Sequence, residues 1–178
     1  SALGPTAYLV IDALGSAFLT ERPDRLGRVA ARAVVTVNPT ELAHVLDVGE
    51  EQVEADLREA ALTAAGRTGA TVLAGGPTKH VATPDGGSWT INAGGPGLGV
   101  SGSGDVQSGI VAGLLARGCV PAQAAVWGAH LHGCAGEALA HRAGPVGFLA
   151  RELPAQVPSL LARWSGPPAP SSPVAGMR

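Results

Sequence analysis

Apolar and polar positions along this chain follow two rhythms, and the places where the rhythm changes mark the elements. Tyr8-Leu9-Val10-Ile11 is a short apolar run closed by Asp12, Ala33–Val37 is a second closed by Asn38, and residues 70–74 form a third closed by Gly75-Gly76. Continuous apolar runs of this length, bounded by polar or turn residues, predict strands buried on both faces. Between them the apolar positions recur at helical spacing. Residues 23–32 set Leu26 and Val29-Ala30 among arginines, which predicts a short amphipathic helix. Thr40 is the expected start of a short helix bearing Leu42, Val45 and Leu46. Residues 50–67 are acidic at the start and apolar at Val53, Leu57, Ala61 and Leu62, and read as one helix closed by Gly66 or Gly69.

Strand rhythm then returns. Val81-Ala82-Thr83 and Ser88-Trp89-Thr90-Ile91 flank Pro84-Asp85-Gly86-Gly87, the pattern of a hairpin. A glycine-rich loop, residues 94–105, feeds a small-residue helix over 106–117 ended by Gly118. Pro121 suits the first position of a long helix reaching about His141. A last short helix is expected over 151–164. From Ser165 the chain is Pro/Ser/Gly-rich, so one domain over 1–164 and a tail over 165–178 are expected. Three buried strands alternating with helices predict an α/β fold, a mostly parallel central sheet with helices on both faces. In such sheets ligands sit beyond the carboxyl ends of the strands. Asp12, Asn38 and the 75–79 turn share that edge, and a functional glycine loop has to reach it too.

Composition narrows the function classes. With 46% hydrophobic and 15% charged residues the chain has material for a core and is not a disordered segment. Twelve basic against fourteen acidic residues leave a net charge of -2, too balanced to hold a phosphate backbone electrostatically. Aromatic residues, at 3%, offer few rings for stacking bases, so nucleic acid is not an expected partner. No apolar stretch approaches the ~20 residues a membrane helix needs, and no basic segment precedes the opening apolar run. Cys119 and Cys134 are too few for a disulfide framework and match no metal spacing; both are expected as reduced, small hydrophobes in helices. The expectation is a soluble cytoplasmic protein.

The strongest chemical signal is Gly102-Ser103-Gly104-Asp105 opening a helix. Glycines let amide groups crowd around an anion, and the first helical turn adds unpaired N–H donors and the positive end of the dipole. Together Gly102, Ser103 and Gly104 would form an anion hole for a phosphoryl group, with Asp105 placed to take a proton from an attacking hydroxyl. An ordinary helix entry is the competing reading of the same residues. The spacing is neither a P-loop nor a dinucleotide fingerprint. Asn38-Pro39-Thr40-Glu41 puts an amide and a carboxylate three residues apart at a strand end, where they could hold water around Mg²⁺; the alternative is that Asn38 ends a strand and Glu41 favours the positive end of the following helix. Gly75-Gly76-Pro77-Thr78-Lys79 is a third candidate, its only lysine expected in a turn, on a phosphate or solvated. His130 and His132 are two apart and cannot form an i,i+4 metal pair on a helix. His44, His80 and His141 are expected at surface or partly packed positions.

Read in order, TVNPTELAHVL, VLAGGPTKHVATPDG, GGPGLGVSGSGDVQSGIVAGLLARG, HLHGCAGEAL and GFLARELPAQVP resemble the ADP-dependent (S)-NAD(P)H-hydrate dehydratases of the ribokinase-like superfamily. The resemblance spans residues 34–163 and, more loosely, the strand ending at Asp12. It implies a ribokinase-like fold, with the amino-terminal part of the sheet and part of the substrate pocket lying outside this sequence. It also implies a hydro-lyase that restores hydrated nicotinamide cofactors to NADH or NADPH by phosphorylation and elimination, with Mg²⁺ and ADP or ATP as phosphoryl donor, and a homo-oligomer. By the same resemblance Asp105 is the catalytic and substrate-contacting aspartate and Gly104 a nucleotide-contacting glycine. Residues Gly75, Gly76, Pro77, Thr78 and Lys79 form the nucleotide turn, Asn38 contacts substrate where the family usually has histidine, and Glu41 acts near Mg²⁺. A small-molecule kinase of the same superfamily and a non-catalytic nucleotide-binding remnant are the alternative functions.

Overall fold

The computed structural model describes residues 4, 6–20 and 22–164; the tail expected over 165–178 lies outside them. Among the described residues five strands form one sheet in the order β1 (Leu9–Asp12), β2 (Ala33–Val37), β3 (Thr71–Ala74), β4 (Lys79–Ala82), β5 (Ser88–Ile91). The first three run parallel, while β3–β4 and β4–β5 pair antiparallel. That split follows connection length: two residues cannot reverse a parallel register, so parallel strands need long crossovers. The β2–β3 crossover carries α1 (Pro39–Leu46), α2 (Glu50–Ala55) and α3 (Leu57–Thr68), whereas β3 and β4 are joined by the 75–78 turn alone. After β5 come α4 (Ser103–Ala116), α5 (Pro121–Ala143) and α6 (Val157–Trp164).

Strand alternation divides the core in two. Val35, Val37, Val72 and Ala74 pack with α1–α3, while Val34, Leu73 and Val81 pack on the opposite face with α4–α6. Helices therefore cover both sides of the sheet, as expected of an α/β fold. None of the helices among the described residues is long and apolar enough to cross a membrane.

Several elements depart from expectation for local reasons. β1 is only half-buried along its length, because it is an edge strand paired with β2 alone. Residues Pro23–Arg32 form 3₁₀ turns broken at Gly27, whose φ of 46° no regular helix accommodates, in place of an amphipathic helix. The helix over 50–67 is two helices: Asp56 leaves helical geometry and its carboxylate accepts the Glu59 N–H at 3.0 Å, capping α3. Gly69, at φ 69°, closes it. The last segment starts as two 3₁₀ turns, Ala150–Glu152 and Pro154–Gln156, before α6. Cys119 lies between α4 and α5 and not in a helix; both cysteines are free and half-buried.

Candidate active site

The carboxyl ends of β1, β2 and β3 bring Asp12, Asn38 and Gly75 to one edge, and the start of α4 meets them there. A cleft of about 260 Å³ lies between, lined among others by Asp12, Asn38, Glu41, Gly102, Gly104 and Asp105. Beside it a larger cleft of about 770 Å³ is bounded by Gly76, Pro77, Lys79, Gly94, Ser103 and His132. Asn38, Gly75, Gly104 and Gln107 line both, so they form the seam between the two. The glycine loop thus reaches the strand edge, and every candidate residue except Thr78 lines one cleft or the other. A concavity of similar size between α4 and α6 is walled by Val106, Ile110 and Leu161, with Arg117 its one charged side chain, and offers no comparable set of polar groups.

At the start of α1 Asn38 and Glu41 close the helix end together. Asn38, not Thr40, caps α1: its Oδ1 accepts the Glu41 N–H at 2.8 Å, and Glu41 Oε2 accepts the Asn38 N–H at 3.0 Å. This reciprocal box satisfies two donors that a helix start otherwise leaves open, and Pro39 at the first helical position has no N–H to satisfy. Thr40 instead donates its hydroxyl to Glu50 at 2.6 Å.

The start of α4 is built the opposite way. Its cap is Gly102, at φ 85°, a conformation other residues adopt only under strain, and no side chain caps it. Ser103 N–H reaches Val100 O at 3.1 Å and Val106 N–H reaches Gly102 O at 3.2 Å. Between them, the amides of Gly104 and Asp105 find no acceptor among the described residues, and both residues are exposed. Unpaired first-turn amides carry the positive end of the helix dipole, so the seam is prepared for an anion.

Two buried groups stand behind this turn. Ser103 Oγ and His132 Nε2 are 2.9 Å apart, each residue only 3% exposed. Burial and the nearby Lys79 ammonium push the His132 imidazole down to about 4, so it is neutral near pH 7. Its Nδ1 is buried and has no hydrogen-bond partner among the described residues. Spacing arguments considered this histidine only as half of a metal pair and missed it; its partner lies 29 residues away on another helix. Lys79 also differs from expectation. It is neither solvated nor in the turn but opens β4, buried, with Nζ donating to Ala93 O at 3.1 Å. Burial depresses its pKa, opposed by Glu137, whose carboxylate accepts the Gly94 N–H at 2.7 Å.

On the other side, Thr36 Oγ1 donates to Asp12 Oδ1 at 2.8 Å and lies 2.9 Å from Ser108 Oγ, which reaches Gly104 O at 3.1 Å. Side chains of β1, β2 and α4 are thereby linked beneath the small cleft. Among the described residues no group of three His, Cys, Asp or Glu side chains could enclose a metal ion.

The model of the NAD(P)H-hydrate dehydratase family matches residues 2–159. The chain belongs to that family. It is 45% identical over 130 residues to an ADP-dependent (S)-NAD(P)H-hydrate dehydratase of Xanthomonas campestris, covering 73% of this chain and 45% of the relative. To the protein of the same description in Neisseria meningitidis it is 37% identical over 154 residues, 86% of this chain and 50% of the relative. The chain thus spans about half the length of these curated relatives. Among solved structures, an ADP/ATP-dependent NAD(P)H-hydrate dehydratase from Bacillus subtilis, co-crystallised with ATP/Mg²⁺ and soaked with CoA, superposes with a TM-score of 0.76 at 22% identity, over 92% of this chain and 58% of that one. A ribokinase-like superfamily protein from Enterococcus faecalis gives a TM-score of 0.76 at 21% identity, over 90% and 54%. The fold is ribokinase-like.

Proposed function

We propose that this chain works in an adenine-nucleotide-dependent (S)-NAD(P)H-hydrate dehydratase, with the nucleotide in the larger cleft and the hydrated nicotinamide reaching the smaller one. The observation that carries the reading is the seam: the open Gly104 amide lies where the acidic and the glycine-lined clefts meet, and Asp105 beside it lines the acidic one. In it Asp105 takes the proton of the ring hydroxyl as the hydroxyl oxygen attacks the terminal phosphorus of the nucleotide. The O–P bond forms, the phosphoanhydride bond breaks, and the nucleotide leaves one phosphate shorter. Phosphate then departs from the ring carbon, the neighbouring carbon gives up a proton, and the double bond returns. The Gly102–Gly104 turn stabilises the phosphoryl oxygens while charge develops on them. Gly75, Gly76, Pro77 and Lys79 border the nucleotide, and Asn38 faces both ligands from the seam.

The donor set of the small cleft fits Mg²⁺, which binds through one or two carboxylates and otherwise keeps waters and phosphate oxygens. Glu41 and Asp12 offer it carboxylate oxygens, and among the described residues no closed cage of protein ligands is formed. Glu41 would hold the ion, largely through water because one of its oxygens serves the capping box; bound there, Mg²⁺ would neutralise charge on the transferring group.

The test is the long-wavelength absorbance of reduced nicotinamide. Folded protein and Mg²⁺ are mixed with chemically hydrated NADH and with ADP, ATP or no nucleotide. Return of the band only when a nucleotide is present is expected, and the effective nucleotide names the donor. A phosphorylated hydrate that accumulates without return of the band would indicate a kinase, and a flat trace with no product would overturn the reading.

A further inference from the structure

The open turn at the start of α4 lacks a side-chain cap, so something else must hold its amides in place. Ser103, its first residue, is buried and its hydroxyl meets His132 Nε2 at 2.9 Å. His132 itself sits on a helix packed closely against its neighbours at three glycines. A Cβ on Gly133 would fall 2.5 Å from the Ala93 backbone carbonyl, one on Gly136 2.7 Å from Leu98, and one on Gly128 2.5 Å from Val111 of α4. These glycines let α5 approach its neighbours more closely than a residue with a Cβ could. α5 is therefore seated against both the 93–98 wall of the larger cleft and the body of α4. The imidazole reaches from this closely packed helix to Ser103, the buried side chain of the turn.

We propose that His132 is a positioning residue for the anion hole: its hydrogen bond to Ser103 fixes the first turn of α4, and with it the Gly104 and Asp105 amides, relative to the wall of the larger cleft. The inference rests on reading that turn as the anion hole. His132 itself touches no reacting atom in this scheme. Burial keeps the ring neutral near pH 7, so the hydrogen bond to Ser103 is one between uncharged groups. Glutamine is the conservative replacement, since its terminal amide reaches as far as Nε2, whereas asparagine stops at the level of Nδ1.

Amide hydrogen exchange tests the proposal on the protein without nucleotide or substrate, so it can succeed or fail independently of the dehydratase assay. In His132→Asn and in Ser103→Ala, the Ser103 and Val106 amides should exchange on the order of tenfold faster, the loss of one hydrogen bond, while mid-helix amides of α5 keep their wild-type rates. His132→Gln should restore the slow exchange, and the His132→Asn/Ser103→Ala double variant should be no faster than either single one. If His132→Asn does not fold, Ser103→Ala alone carries the test. Wild-type exchange at Ser103 and Val106 in the Ser103→Ala protein would overturn the proposal. So would equal acceleration throughout α4 and α5, which would make the pair part of general packing.

Discussion

Two helices begin at the same cleft and solve the same problem in opposite ways. α1 closes its amino terminus on itself, with Asn38 and Glu41 each accepting the other's N–H. α4 leaves its first-turn amides open behind Gly102 and is held from the rear, by Ser103 against His132. A helix start whose donors are satisfied internally is a structural joint; one whose donors stay open at the surface keeps its dipole for a ligand. On the proposed reading, this difference assigns the phosphoryl chemistry to the Gly102–Asp105 turn and leaves the Asn38–Glu41 turn to shape the wall opposite.

The largest expected effect comes from the acidic residue that α4 presents without a local use. The Asp105 carboxylate makes no hydrogen bond among the described residues, and the residue is exposed at the smaller cleft. In Asp105→Asn the fold and nucleotide affinity should persist, while nucleotide-dependent return of the reduced-nicotinamide band falls by roughly 10²–10⁴-fold, the usual contribution of a general base. Calorimetric titration with ADP alongside the absorbance assay separates the two. Unchanged turnover would remove Asp105 from the mechanism.

A second effect falls on stability, through the group that supports α4. His132 binds a proton at about 4 in the folded protein against 6.5 ordinarily, because burial and then Lys79 oppose its charge, only partly offset by Ser103. Between those values the unfolded chain holds more protons than the folded one, so stability falls as pH drops. The contribution is intact above about pH 6.5 and is lost progressively down to about pH 4, amounting to about 3 kcal/mol. Denaturant titrations across that range should show the slope, and His132→Gln should flatten most of it. His80, also lowered mainly by burial, adds a contribution of the same sign. The capping box of α1 contains no histidine to impose such a slope.

This contrast was only half visible in the sequence. The alternation of apolar runs with helical spacing was enough for the α/β sheet, the hairpin and the long α5, because each depends on contacts repeated over many residues. Gly102 to Asp105 stood out because its glycines and acid are adjacent. What could not be seen was long-range or competitive. The Ser103–His132 bond joins positions 29 residues apart, and nothing in the spacing HLH marks one histidine as buried. Asp56 sits inside a continuous apolar rhythm, and only its hydrogen bond to Glu59 shows that it starts a new helix. Lys79 looked like a loop residue because glycines and proline precede it; its burial depends on Ala93 arriving above β4.

The smallest effect tests the other half of the comparison. If the Asn38–Glu41 turn is a joint, Asn38→Ala should cost about 1 kcal/mol in denaturant midpoint, as loss of an amino-terminal cap does. Asn38→Asp should cost little, since aspartate caps as well as asparagine. Glu41→Gln keeps the reciprocal acceptor of the box, so its stability should match wild type, and any change it produces belongs to charge at the cleft. Titrating Mg²⁺ in the absorbance assay then isolates that charge: a higher Mg²⁺ requirement for Glu41→Gln at unchanged stability would give Glu41 a second role beside capping. An unchanged Mg²⁺ requirement would leave it a capping residue alone, and the chemistry of the small cleft would fall to Asp12 and Asp105.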